Sequence, residues 1–135
     1  MAGNGGTGTV STISGARVFY AGGGGGGSYH TSVALFPSGL MYAGIGAAGG
    51  GDGGNGATPV STSAIANSGS GGGGPSSPSN GGADLCAGGN GGSGIVILRY
   101  PSYLAPATST TGSPETYVTG AWRVYKFVAS GTITF

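Results

Sequence analysis

The chain has 135 residues, of which 35 are glycine and only 5% are charged, against usual shares of about 7% and about 25%. Four basic residues (Arg17, Arg99, Arg123, Lys126) and three acidic ones (Asp52, Asp84, Glu115) leave a formal charge of +1, which excludes the basic stripe of a nucleic-acid binder. Hydrophobic residues make up 37%, so this is not the low-hydropathy, high-charge signature of disorder, and an ordered chain within an assembly is expected. No run of about 18 apolar residues exists to span a membrane. The lone Cys86 permits no intrachain disulfide. The start, Met1 to Gly6, lacks the basic and apolar stretches of a secretory signal.

In chain order, Ile13 to Tyr20 reads as β-like and leads into six consecutive glycines, Gly22 to Gly27. Val33 to Phe36 is the next β-like run, inside the aromatic-bearing stretch Ser28 to Tyr42. Glycine-dense stretches follow at Gly44 to Gly56, Gly71 to Gly74 and Gly81 to Gly94. Nowhere do apolar residues recur at helical spacing, so no α-helix is expected.

The glycine stretches pose a physical problem, because each glycine in a regular element costs roughly 0.5–1 kcal/mol relative to alanine. Left-handed polyproline-II-like geometry offers a solution: three residues per turn and no internal hydrogen bonds. Without Cβ atoms such segments can lie side by side and bond sideways through N–H, C=O and Cα–H groups. Collagen is excluded, since residues 44, 46, 49, 50 and 51 break the strict period of three and there are only 7 prolines. A flexible Gly/Ser linker shares the composition, and Ser68 to Gly82 would pass for one in isolation.

The last third is more conventional. Ile95 to Leu98 is a continuous apolar run, as in a strand buried on both faces, and Pro101 ends it. Residues 102–121 are rich in Ser, Thr and Pro and read as a connector. Trp122 to Val128 and Thr132 to Phe135 flank Ala129-Ser130-Gly131, which predicts a C-terminal β-hairpin. The expected fold is therefore all-β and irregular. It comprises a polyglycine-II-like module (1–101), a connector (102–121) and a hairpin (122–135) that starts a following repeat or serves assembly.

Residues 91–101, Gly-Gly-Ser-Gly-Ile-Val-Ile-Leu-Arg-Tyr-Pro, resemble the closing strand of the glycine-rich domains of bacteriophage tail fibres and virion structural proteins. Ile13 to Ala21 with the six-glycine run resembles the middle of that domain, and residues 122–127 with 130–135 resemble its opening hairpin. The order departs from the family, because the hairpin-like piece comes last here. The resemblance implies a sandwich of polyglycine II helices in a homo-oligomeric virion fibre. It implies contacts with other virion proteins and with a host-surface saccharide or protein. A non-viral extracellular matrix or filament protein of glycine-rich repeats is the alternative. An ice-binding glycine bundle would want a flat Thr or Ala face, which is not traceable.

Catalysis finds little material. His30 has no carboxylate near it in sequence, and Cys86 has no basic neighbour to lower its pKa. The GxGxxG-like strings precede no helical pattern and no Gly-Lys-Ser/Thr occurs, so no phosphate loop is expected. Asp52 and Asp84 fall short of a calcium loop. No enzymatic activity, metal or cofactor is expected. Tyr29, His30, Phe36 and Tyr42 are candidates for surface recognition or packing. Trp122, Val124, Ile133 and Phe135 are candidates for assembly, since a lone hairpin needs a packing partner.

Overall fold

Backbone that carries no side chains must satisfy its peptide groups against other backbone, and most of this chain is arranged to do so. The structure is a computed structural model in which residues 2–28, 42–55, 60–76 and 87–135 are described. None of the described residues is helical. The chain divides into two compact units, 1–9 with 19–93 and 10–18 with 94–135.

The first unit is a lattice of extended glycine-rich segments. Its hydrogen bonds recur at every third residue. Within the 22–28 segment, Gly23 and Gly26 donate to Gly6 and Gly3. Their carbonyls accept from Ala47 and Gly44, on a different side. Gly25 and Ser28 donate to Gly51 and Gly54, while Gly22 and Gly25 accept from Gly71 and Gly74, at 2.8–3.0 Å. One segment thus bonds four neighbours, each at a spacing of three, as a threefold extended helix requires. A β-strand, with its period of two, would reach only two. Burial follows the same period: residues 22, 25 and 28, 51 and 54, and 70, 73 and 76 are buried.

The remaining bonds place the described segments in two rows. One row runs 2–6, 22–28, 70–76, 87–93, joined by bonds such as Gly71 N–H to Gly22 O and Gly89 N–H to Gly73 O. The other runs 42–47, 50–55, 60–65, joined by Gly53 N–H to Gly44 O and Thr62 N–H to Asp52 O. Each segment of the second row bonds two neighbours in the first. Segment 42–47 meets 2–6 and 22–28, 50–55 meets 22–28 and 70–76, and 60–65 meets 70–76 and 87–93. This is the packing of rods, each seated in the groove between two others.

Glycine is required where these rods touch. At Gly24 the hydrogen that a Cβ would replace points at the Gly72 carbonyl, and at Gly27 at the Pro75 carbonyl. Both are Cα–H···O contacts of the kind that join adjacent extended chains. Two turns close the lattice. Gly50 N–H bonds Ala47 O at 2.8 Å, with φ of 49° at Ala48 and 89° at Gly49, the two positive values of a type I′ turn. At residues 66–69 a serine pair takes over: the Ser68 hydroxyl donates to Ile65 O at 2.6 Å. The buried Ser70 hydroxyl accepts from Gly22 N–H and donates to Ala48 O.

The second unit is built on strands. β1 (Thr9–Ser11) pairs with β2 (Val18–Tyr20) where the chain passes from the first unit into the second and back. β3 (Val96–Pro101), β5 (Glu115–Thr119) and β6 (Trp122–Phe127) form an antiparallel sheet in the order β3-β6-β5. β4 (Ser109–Thr110) pairs with β7 (Ile133–Thr134). The central strand β6 holds the core, Val124, Tyr125 and Phe127. Val124 lies opposite Arg99 and Tyr117, and both donate to the 10–18 loop, Arg99 to Thr12 O and Tyr117 to Ser14 O. Gly15, at φ 89°, lets this loop come close to Thr119.

The C-terminal hairpin expected over 122–135 does not form. Its first arm, β6, pairs with β3 and β5, and its second, β7, pairs with β4. The true hairpin is β5–β6, turned at Gly120, whose φ of 55° is left-handed. The stretch read as a connector, 102–121, therefore supplies β4 and β5. The apolar run at 95–98 was expected to be buried on both faces. It lies at the edge of the sheet, with Val96 59% exposed.

Candidate functional site

Three features offer surface or chemistry: the rim of the lattice, the aromatic stack of the second unit, and a groove beside β3. At the rim, Asn4 Oδ1 accepts from Ile45 N–H at 2.9 Å and holds 42–47 against 2–6. The two segments bound an open groove of about 580 Å³ lined by Ala2, Asn4, Tyr42, Ala43 and Ile45. Asp52 is engaged between segments. Its Oδ1 accepts from Gly46 N–H at 2.7 Å, and its N–H donates to the Thr62 hydroxyl. These bonds reach six and ten residues along the chain, so Asp52 ties three segments together.

In the second unit Tyr100 stacks on Tyr125 with centroids 5.9 Å apart, and Phe135 meets Tyr100 edge-on at 5.4 Å. Tyr100 Oη donates to Ala105 O and lies 3.4 Å from Tyr125 Oη, which accepts from Ala107 N–H. Burial, then the hydroxyl and charge of Tyr125, raise the Tyr100 phenol above its ordinary value. Burial also pushes Tyr125 up, but the Tyr100 hydroxyl, the Ala107 N–H and the Arg123 charge outweigh it, and Tyr125 is lowered. Two stacked phenols are thus moved in opposite directions, as expected when one partner serves as donor and the other as acceptor. On the other face, the Arg99 guanidinium lies 4.5 Å from the Trp122 ring centre, and Lys126 pairs with Glu115 at 3.0 Å. The groove beside β3 measures about 320 Å³ and is lined chiefly by Val96, Leu98, Phe127 and Ile133.

Of the residues expected to carry recognition, Tyr29, His30 and Phe36 lie outside the described residues. Cys86 and Asp84 do too. Tyr42 is 58% exposed and lines the rim groove. Among the assembly candidates, Val124 is 0% exposed and taken up in the chain's own core, so it has no surface to offer a partner. Trp122 is 40% exposed under Arg99, Ile133 lines the β3 groove, and Phe135 is 72% exposed beyond its contact with Tyr100. The structure does not gather these four into one face. Cross-strand alternation puts Trp122 and Val124 on one face of β6, and Ile133 and Phe135 belong to the β7 end.

The Tyr100–Tyr125 stack and the Ser68–Ser70 cap were not foreseen. The first joins residues 25 apart in a register visible only once β3 and β6 are paired. Among the described residues no group of three His, Cys, Asp or Glu side chains could hold a metal ion. No helix among them is long and apolar enough to cross a membrane. Family models, curated proteins and solved structures give no match to this chain.

Proposed function

We propose that this chain is a structural component of a virion surface fibre, of the bacteriophage tail-fibre kind, without enzymatic activity. The observation that carries the reading is the two-row glycine lattice, whose hydrogen bonds recur at every third residue. Such a lattice is nearly free of charge and held chiefly by backbone hydrogen bonds, which suits a load-bearing structural element. Host-surface adhesion is the accompanying role. The sequence stretch Ser28 to Tyr42 is assigned to it, with Tyr29, His30, Phe36 and Tyr42 as the contact residues and a host saccharide or protein as the partner. The resemblance of residues 91–101 to the closing strand of tail-fibre glycine-rich domains adds to this reading. Immunogold labelling of material from the producing organism tests it. Label along fibres of released particles is expected. Label confined to a cell envelope or extracellular matrix would overturn it in favour of a glycine-rich matrix protein.

A further inference from the structure

Most lattice glycines are accounted for by a backbone atom that leaves no room for a Cβ. Gly3 and Gly6, like Gly26, are not. A Cβ at either meets nothing within 4 Å, both residues are exposed, and neither φ is left-handed. Their N–H groups find no acceptor among the described residues, although both carbonyls are bonded, to Gly26 and Gly23. At the opposite end of the same row, Gly88 and Gly91 are exposed as well. The nearest atoms to an added Cβ there are 3.3 and 3.5 Å away, and neither residue donates or accepts a backbone hydrogen bond among the described residues. Both pairs keep the lattice spacing of three. One edge offers spare donors, and the other offers spare donors and acceptors.

We propose that these two edges dock on each other between copies of the chain, 87–93 of one beside 2–6 of the next, so that the row continues from copy to copy. Three observations fix the occupant as a second copy. First, the directions agree. Segment 2–6 runs antiparallel to 22–28, which runs parallel to 70–76, which runs antiparallel to 87–93. The outer two are therefore parallel, a relation the lattice already uses where 22–28 donates to 50–55. Second, segments 2–6, 42–47, 60–65 and 87–93 carry no charged residue, so no like charges oppose the approach and no charged partner is called for.

Third, the second row is one segment shorter than the first among the described residues. Continuing the first row leaves a vacant seat in the second, bounded by 60–65 of one copy and 42–47 of the next. The segments bounding that seat carry the exposed apolar side chains Tyr42, Ile45 and Val60. The open groove lined by Tyr42 and Ile45 is its near half. Docking fills it with side chains where a further glycine rod would otherwise lie. The contact joins two different edges, so it is heterologous and propagates as an open filament rather than a closed dimer. The proposal takes its setting from the fibre reading above and names the surface through which that fibre grows.

Sedimentation of full-length chains tests it. Gly3→Lys blocks one edge and Gly91→Glu the other, and neither side chain meets a backbone clash within its own chain. Unchanged circular dichroism and melting establish that each variant is folded. The wild type is expected to sediment as a distribution of oligomers and each variant alone as a monomer. An equal mixture should give a dimer and nothing larger, because one sound edge remains on each partner. Oligomers in either variant alone would overturn the edge assignment while leaving a fibre role standing. A wild type that stays monomeric at all concentrations would overturn the docking itself.

Discussion

Adding a single methyl group at neighbouring glycines of the 22–28 segment should have opposite consequences. In Gly24→Ala the new Cβ would overlap the Gly72 carbonyl, with Gly71 O 3.0 Å away. Neither is the tip of a flexible side chain. Both are backbone, pinned by the bonds of Gly71 and Gly74 to Gly22 and Gly25. The 70–76 segment must therefore move by an ångström or more. Overpacking of this kind costs typically 1–3 kcal/mol, and the loss of the Cα–H···O contact adds about 0.5–1 kcal/mol. Two residues along, in Gly26→Ala, the nearest atom is 3.4 Å away and the φ is not left-handed. There alanine only restricts the unfolded chain, which stabilises by about 0.4–1 kcal/mol. The two variants shift stability in opposite directions and should thus differ by about 2–5 kcal/mol. Urea unfolding followed by circular dichroism measures this. Equal midpoints for Gly24→Ala and Gly26→Ala would refute the packing argument, since a flexible glycine linker makes no distinction between them.

Val124→Ala removes two methyl groups from the one fully buried side chain of the second unit. It should lower stability by about 2–3 kcal/mol through lost burial and the cavity left behind, whereas Phe135→Ala, mostly exposed, should lose under about 1 kcal/mol. Ser70→Ala strands the Gly22 N–H and the Ala48 carbonyl in a buried site, which should cost about 1–3 kcal/mol by thermal unfolding. The Tyr125 phenol, lowered in the folded chain, should ionise first among the stacked pair, and Tyr125→Phe should delete the earlier of the pair's two steps in the ultraviolet tyrosinate titration. Between that lowered value and the ordinary value of 10.0 the unfolded chain binds more protons than the folded one, so this group makes stability rise with pH there. The contribution of Tyr100, whose phenol is raised, is present below the ordinary value and is lost as pH climbs through its folded value.

Much of the lattice was legible in the sequence, because glycine at this density without charge leaves few ordered solutions. What composition could not supply was the pairing of segments. The order 2–6, 22–28, 70–76, 87–93 within a row depends on backbone bonds between residues up to 49 apart, such as Gly71 to Gly22, and nothing in a run of glycines labels its partner. The hairpin failed for a local reason. Ser130-Gly131 and Gly120-Ala121 are both acceptable turn sequences, and the first was favoured by the alternation of residues 132–135. Glu115 to Thr119 carries β-prone Thr, Tyr and Val without alternating, and Ser, Thr and Pro around it hid the strand. Gly131 serves a different end: its missing side chain makes room for the Phe127 ring and the Thr111 carbonyl, so β7 can reach β4. Val124 was read as an assembly residue from a face of the wrong hairpin. Once β6 is central, with Arg99 and Tyr117 on either side, the same residue has to be core.

The first unit is held together by glycine rods that bond several neighbours at a spacing of three. Scalar couplings transmitted across hydrogen bonds, measured by NMR on the uniformly labelled full-length chain, test that directly. Couplings are expected from the Gly25 amide to the Gly51 carbonyl, from Gly26 to Gly3 and from Gly74 to Gly25, with none from Gly24 or Gly27. Couplings from alternate residues of 22–28 to a single neighbouring segment would mean an ordinary β-ladder and would contradict the lattice, as would their complete absence in a folded sample.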